Sequence, residues 1–73
     1  MSVPAVFIAG NRTGYHPSQC YETLTIGELI DVLSQYDSST EVYLRNDNGY
    51  SYGSIEEKDI ASGSYDEDDV YLD

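Results

Sequence analysis

The fold is decided by residues 25–36, which read TIGELIDVLSQY. Thr25 followed by Glu28 matches a capping box, in which each side chain bonds a free backbone N–H of the first helical turn. The apolar residues that follow recur at intervals of three and four, which places them on one face of a helix; they are Ile26, Leu29, Ile30, Leu33 and Tyr36. The pattern predicts an α-helix over about 26–36, which the polar residues 37–39 end.

Short extended segments lie on both sides of this helix. Residues 4–9 form an apolar run typical of a strand, and residues 41–45 alternate apolar and polar side chains. Residues 46–49 (Asn-Asp-Asn-Gly) indicate a hairpin turn, after which we expect a strand over about 50–60 and a last strand over 69–73. The sequence therefore predicts one α+β domain over residues 1–73, with a single antiparallel β-sheet of three to five strands and the helix packed on one face.

Charge restricts the partners of the chain. Its 73 residues include 14 Asp and Glu against three Lys and Arg, so the formal net charge is −11. This balance argues against direct binding to nucleic acid or to an anionic membrane, because both require basic patches. No apolar run approaches the length of a transmembrane helix, and the first residues lack the charged region of a signal peptide. The single Cys20 fits a reducing compartment, so we expect a cytoplasmic protein.

No catalytic or metal-binding motif is apparent in the sequence. His16 and Cys20 lie four residues apart in a Gly/Pro loop, and two such ligands are too few for a zinc site. Glycine motifs that bind phosphate are absent, and a chain of this size has little room for a dry catalytic pocket. Residues 46–49 and 66–69 offer oxygen ligands for calcium, but an EF-hand alignment on Gly49 puts Ile55 where a carboxylate belongs. We expect a non-enzymatic protein without a cofactor, and keep a calcium-binding module as an alternative.

The acidic residues are concentrated near the C-terminus. Residues 1–21 carry a net charge of +1, whereas residues 56–73 hold eight acids and Lys58, a net charge of −7. Tyrosine and aliphatic residues interleave with these acids, so the acids should lie on or beside a strand, where same-face residues recur at about 7 Å. This spacing is comparable to that of phosphates, which predicts a surface that occupies a nucleic-acid groove on another protein. The candidate partner-binding residues are Glu56, Glu57, Asp59, Tyr65, Asp66, Glu67, Asp68, Asp69, Tyr71 and Asp73, with Glu41 and Asp47 in second rank.

Two resemblances extend this interpretation. Residues 24–44, with Leu24-Thr25-Ile26-Gly27-Glu28-Leu29-Ile30 and Glu41-Val42-Tyr43-Leu44, resemble small phage and bacterial domains in which a capped helix precedes a strand. Size, charge and tyrosine content resemble phage-encoded DNA mimics, namely anti-CRISPR proteins, anti-restriction proteins and inhibitors of DNA-repair enzymes. This second resemblance is compositional, and no functional residue carries over from it.

The DNA-mimic resemblance implies an inhibitor that acts in the cytoplasm of a host bacterium. Its partner would be a basic nucleic-acid-binding host protein, with a CRISPR effector ahead of a restriction or repair enzyme. The chief alternative is a generic interaction or assembly domain, for example a homodimer, whose acidity only maintains solubility.

Overall fold

The computed structural model describes residues 2–73, and in this part of the chain it contains one α-helix and five short strands. Helix α1 spans Ile26–Leu33, single turns of 3₁₀ helix lie at 17–19 and 57–59, and a tight turn lies at 47–49. The strands, in chain order, are β1 (Ala5–Ala9), β2 (Glu41–Asn46), β3 (Ser51–Ser54), β4 (Gly63–Tyr65) and β5 (Val70–Leu72). The predicted α+β class is confirmed.

Helix α1 begins with the capping box that the sequence predicts. The backbone N–H of Glu28 donates to Thr25 Oγ1 at 3.2 Å, and the backbone N–H of Thr25 donates to Glu28 Oε1 at 3.0 Å. Hydrogen bonds from the backbone N–H and the hydroxyl of Thr25 to the Glu28 carboxyl hold its pKa below the ordinary value. The helix ends at Leu33, three residues earlier than expected, because Gln35 and Tyr36 donate to carbonyls only three residues back and so tighten the last turn.

A three-stranded sheet has the order β1-β2-β3. Strands β2 and β3 form an antiparallel hairpin that pairs Asn46 with Ser51, which confirms the turn predicted at residues 46–49. Asp47, Asn48 and Gly49 have φ angles of 49°, 55° and 94°, a left-handed conformation that Asn, Asp and Gly adopt at the lowest cost. Strand β3 ends at Ser54 instead of continuing to about residue 60.

The pairing of β1 with β2 differs from the expected antiparallel arrangement, because the two strands are parallel. Ala5 pairs with Glu41 and Ala9 pairs with Arg45. The connection over residues 10–40 contains α1 and is long enough for the crossover that parallel strands require. Val6, Ile8, Val42 and Leu44 thereby share one face of the sheet, and Phe7 and Tyr43 share the other face.

The last two strands form a separate antiparallel sheet, in which Gly63 pairs with Leu72 and Tyr65 pairs with Val70. The chain leaves the first sheet after Ser54 because residues 56–59 close a turn, in which the backbone N–H of Glu56 donates to Asp59 Oδ2 at 2.9 Å. The expected strand over 69–73 is thus present as β5, but it lies in a second sheet and not in the sheet of β2.

Side chains are poorly buried throughout the described residues. None of residues 2–73 is buried, and the half-buried aliphatic side chains are concentrated on the Val6/Val42 face of the three-stranded sheet. The expected packing of the apolar face of α1 against a sheet is largely missing, since Ile26 is 81% exposed and Ile30 is 60% exposed. Val70 and Leu72 of β5, which belongs to the other sheet, are exposed as well.

None of the helical segments in residues 2–73 has both the length and the hydrophobicity that crossing a membrane requires.

Candidate partner-binding surface

The β4–β5 hairpin, residues 63–72, carries the densest group of predicted binding residues; we refer to it as the acidic hairpin. Its strands pair Tyr65 with Val70, and the backbone N–H of Asp66 donates to the Asp69 carbonyl at 3.1 Å. Residues 66–69 therefore form the turn between the two strands. This turn places four consecutive acidic residues at one end of a short antiparallel sheet.

Asp66 holds this turn together. Its Oδ1 accepts hydrogen bonds from the backbone N–H groups of Asp68 and Asp69, each at 2.9 Å, and its Oδ2 accepts one from the Tyr71 hydroxyl at 3.1 Å. The N–H of Asp69, the N–H of Asp68 and the Tyr71 hydroxyl together hold the pKa of the Asp66 carboxyl below its ordinary value. Asp66 and Tyr71 were both predicted to contact a partner directly, but their polar atoms bond to each other inside the hairpin.

Acidification should therefore loosen the acidic hairpin through Asp66. The folded pKa of Asp66 lies below its ordinary value of 3.8, so its stabilising effect is complete above pH 3.8 and is lost as the pH falls through the folded value. We expect melting curves between about pH 6 and pH 2 to show this loss in the unmodified chain, and to show a smaller loss in Asp66→Asn.

Asp68→Asn is the matched control for Asp66→Asn. It is the same substitution two residues away, and the Asp68 carboxylate accepts no hydrogen bond in residues 2–73. The melting temperature of this variant should fall with pH in parallel with that of the unmodified chain. Identical pH curves for Asp66→Asn and Asp68→Asn would show that the Asp66 hydrogen bonds do not stabilise the turn.

Three neighbouring carboxylates remain free for other partners. Within residues 2–73, the side chains of Glu67, Asp68 and Asp69 accept no hydrogen bond and form no ion pair. The backbone N–H groups of Asp68 and Asp69 are fixed by Asp66, so these acids project from an ordered turn. An ordered turn loses less conformational entropy on binding than a frayed acidic tail would.

The predicted residues on either side of the hairpin are mostly engaged within the chain. Glu56 forms an ion pair with Lys58 at 3.2 Å, which is the single ion pair among residues 2–73. Asp59 accepts from the Glu56 backbone, and Asp73 Oδ2 accepts from Ser62 Oγ at 2.9 Å. Glu57 has no such partner in the described part of the chain. Glu57 therefore joins the three turn acids as a free carboxylate.

The two second-rank residues lie on the other sheet. Glu41 begins β2, and Asp47 lies in the turn between β2 and β3. The negative charge of Glu41 raises the pKa of the Tyr43 hydroxyl, two residues further along the same face. Because the two sheets are separate, the strand pairing does not join Glu41 or Asp47 to the acidic hairpin.

An aromatic group on the three-stranded sheet is a feature that the sequence analysis missed. The ring centroids of Phe7 and Tyr43 are 6.1 Å apart, and those of Phe7 and Tyr52 are 5.7 Å apart. Phe7 is 53% exposed, although its apolar run predicted a buried strand. The parallel register Phe7↔Tyr43 creates this group, and that register is not readable from either segment alone.

The loop before the helix contacts the acidic hairpin through His16. The His16 and Tyr65 rings meet edge to face with centroids 5.7 Å apart, and the backbone N–H of Ser18 donates to His16 Nδ1 at 3.1 Å. Tyr65 closes one side of a groove of about 840 Å³ whose other walls come from residues 9–23. The Cys20 thiol points toward the His16 carbonyl, 3.8 Å away, and not toward its ring.

Comparisons of the chain with protein-family models, curated proteins and solved structures gave no match. Residues 2–73 hold no group of three His, Cys, Asp or Glu side chains arranged to bind a metal ion.

Proposed function

We propose that this protein is a non-enzymatic inhibitor that mimics nucleic acid and binds the groove of a basic nucleic-acid-binding protein. The observation that carries the proposal is the turn of the acidic hairpin. In this turn the Asp66 carboxylate accepts hydrogen bonds from the backbone. The next three carboxylates, those of Glu67, Asp68 and Asp69, form no hydrogen bond or ion pair within residues 2–73. A CRISPR effector has a basic channel in which lysines and arginines normally bind phosphates. In the proposed complex, these basic side chains pair with the carboxylates of the turn.

The rest of the chain does little to neutralise this charge. The acids outnumber the basic residues by fourteen to three. Within residues 2–73, Lys58 is the one basic residue that pairs with an acid, Glu56. A net charge of −11 extends an attractive field toward a basic groove and repels free nucleic acid. Complementary charge of this kind accelerates association and selects for basic partners. As part of the proposal, the protein acts in the cytoplasm of a bacterial cell and comes from a phage or mobile element.

The direct test is displacement of DNA from candidate targets. The purified protein would be added to complexes of labelled DNA with a guide-loaded CRISPR nuclease, a restriction enzyme or a DNA-repair glycosylase, and fluorescence anisotropy would follow DNA release. We expect release from at least one of these classes, with a CRISPR nuclease first, and no binding of the protein to DNA itself. Failure to displace DNA from all three classes would contradict the proposal for these targets.

A calcium titration in the same buffer separates the mimic from the calcium-binding alternative. A mimic should displace DNA equally well in calcium and in a chelator. A rise in melting temperature at micromolar calcium would instead favour a metal-binding module.

A further inference from the structure

One side of the three-stranded sheet carries three aromatic rings. We refer to Phe7, Tyr43 and Tyr52 as the aromatic face. Tyr52 belongs to it because Tyr52 pairs with Arg45, which lies on the same side of β2 as Tyr43. Phe7 and Tyr52 are 53% and 57% exposed, and Tyr43 is half-buried. The half-buried aliphatic side chains lie on the opposite side of the sheet, so the aromatic face is open to a partner.

The ring geometry favours binding of a planar cation. The Phe7 ring is inclined by 29° to the Tyr43 ring and by 63° to the Tyr52 ring, at centroid distances of 6.1 Å and 5.7 Å. The face of an aromatic ring carries negative electrostatic potential, so it attracts cations. Among side-chain cations, the guanidinium of arginine is planar and weakly hydrated. It therefore stacks on such rings more readily than the compact, strongly hydrated ammonium of lysine.

The charges around the aromatic face also favour a cation from another molecule. Glu41 lies on the same side of β2, and its negative charge raises the pKa of the Tyr43 hydroxyl. The chain's own Arg45 lies on this side too, but its guanidinium donates to the Asn48 carbonyl at 3.0 Å. Within residues 2–73, no Lys or Arg side chain stacks on the three rings. A net charge of −11 attracts basic partners and repels acidic ones.

We infer that the aromatic face is a binding site for an arginine side chain of a basic partner protein, whose guanidinium stacks on Phe7 and Tyr52 beside Glu41. The partner is the basic target proposed above, so the inference rests on the proposed function for the partner's identity. The two surfaces contribute differently to binding. The acidic hairpin attracts lysine and arginine alike through their charge, whereas the aromatic face adds a preference for arginine.

Calorimetric titration with two peptides of equal length and charge, one containing arginines and the other lysines, tests this preference. Tyr52→Leu removes a ring from the aromatic face. Tyr50→Leu is the matched control, because Tyr50 is 89% exposed and its ring contacts no other ring in residues 2–73. We expect the arginine peptide to bind about fivefold more tightly than the lysine peptide to the unmodified chain and to Tyr50→Leu. In Tyr52→Leu this ratio should fall to about twofold or less. The double variant Glu67→Gln/Asp68→Asn should weaken binding of both peptides and keep the ratio.

NMR of the unmodified chain decides the question if Tyr52→Leu does not fold. Phe7 is the one phenylalanine of the chain, so its ring signals report on the aromatic face without any substitution. The arginine peptide should shift these signals and give nuclear Overhauser effects between the Phe7 ring and its δ-methylene protons, and the lysine peptide should shift them less. Phe7 signals that stay unchanged at saturation would overturn the inference, as would equal arginine-to-lysine ratios in Tyr52→Leu and Tyr50→Leu. Neither result depends on displacement of DNA, so failure of this site and failure of the mimic are distinguishable.

Discussion

Raising NaCl from about 50 to 200 mM should weaken the complex with a basic target by about 100-fold. Among the predicted binding acids at 56–73, four carboxylates form no hydrogen bond or ion pair with residues 2–73 and are free to stand in for phosphates: Glu57, Glu67, Asp68 and Asp69. If each pairs as a phosphate does, it adds about 0.9 to the log–log slope of affinity against salt, which gives a slope near −3.6 for four pairs. A fourfold rise in salt then lowers affinity by roughly two orders of magnitude.

Titration of a labelled target at several NaCl concentrations measures this slope directly. The DNA that the same target binds provides an internal reference, because a mimic should compete for the same cations and show a slope of the same sign. An affinity that stays constant over this range would show that apolar contacts dominate, and would favour the interaction-domain alternative over mimicry. The salt dependence thus tests the mechanism separately from the identity of the target.

The features predicted correctly are those with a local cause. The capping box of Thr25 and Glu28 and the turn before Tyr50 each involve contacts between residues a few positions apart. Their hydrogen bonds and backbone angles follow from residue type and spacing alone. The end of α1 was less predictable, because apolar periodicity continues to Tyr36 while the backbone hydrogen bonds change from four-residue to three-residue spacing at Gln35.

Features that depend on distant parts of the chain were not predictable. The sequence shows that residues 5–9 and 41–46 favour strands, but not that they pair in parallel. Nor does the pattern of Val70 and Leu72 reveal that β5 pairs with β4 and not with β2, since alternation shows only that one face of a strand is apolar. Both errors led to the prediction of a single sheet with a better-covered helix.

The candidate site was likewise predictable only in its local features. Clustering of acids at residues 66–69 is visible in the sequence, and the structure places them at one turn. The separate role of Asp66 is not visible, because four adjacent acids look equivalent until the backbone N–H groups are placed. The hydrogen bonds from the backbone N–H groups of Asp68 and Asp69 occupy Oδ1 of Asp66 and order the acids that follow it.

Neutralising two acids of the hairpin turn should weaken target binding by about tenfold at low salt, whereas neutralising two acids elsewhere should have little effect. The test variant is Glu67→Gln/Asp68→Asn, and the control is Glu22→Gln/Asp31→Asn. Both double variants replace one Glu and one Asp, so both change the net charge from −11 to −9. Neither touches Asp66, so the hydrogen bonds that hold the turn remain available in both.

The salt slope makes this comparison specific for ion pairing. With two of four ion pairs removed, the log–log slope of affinity against salt should halve in magnitude for the test variant, to near −1.8. The control should keep the slope of the unmodified chain. If net charge alone drove association, the two variants would lose affinity equally, because their charges are identical. Equal losses would therefore contradict a localised mimic surface and leave only long-range attraction. A selective loss in the hairpin variant would place the target's cations against Glu67 and Asp68.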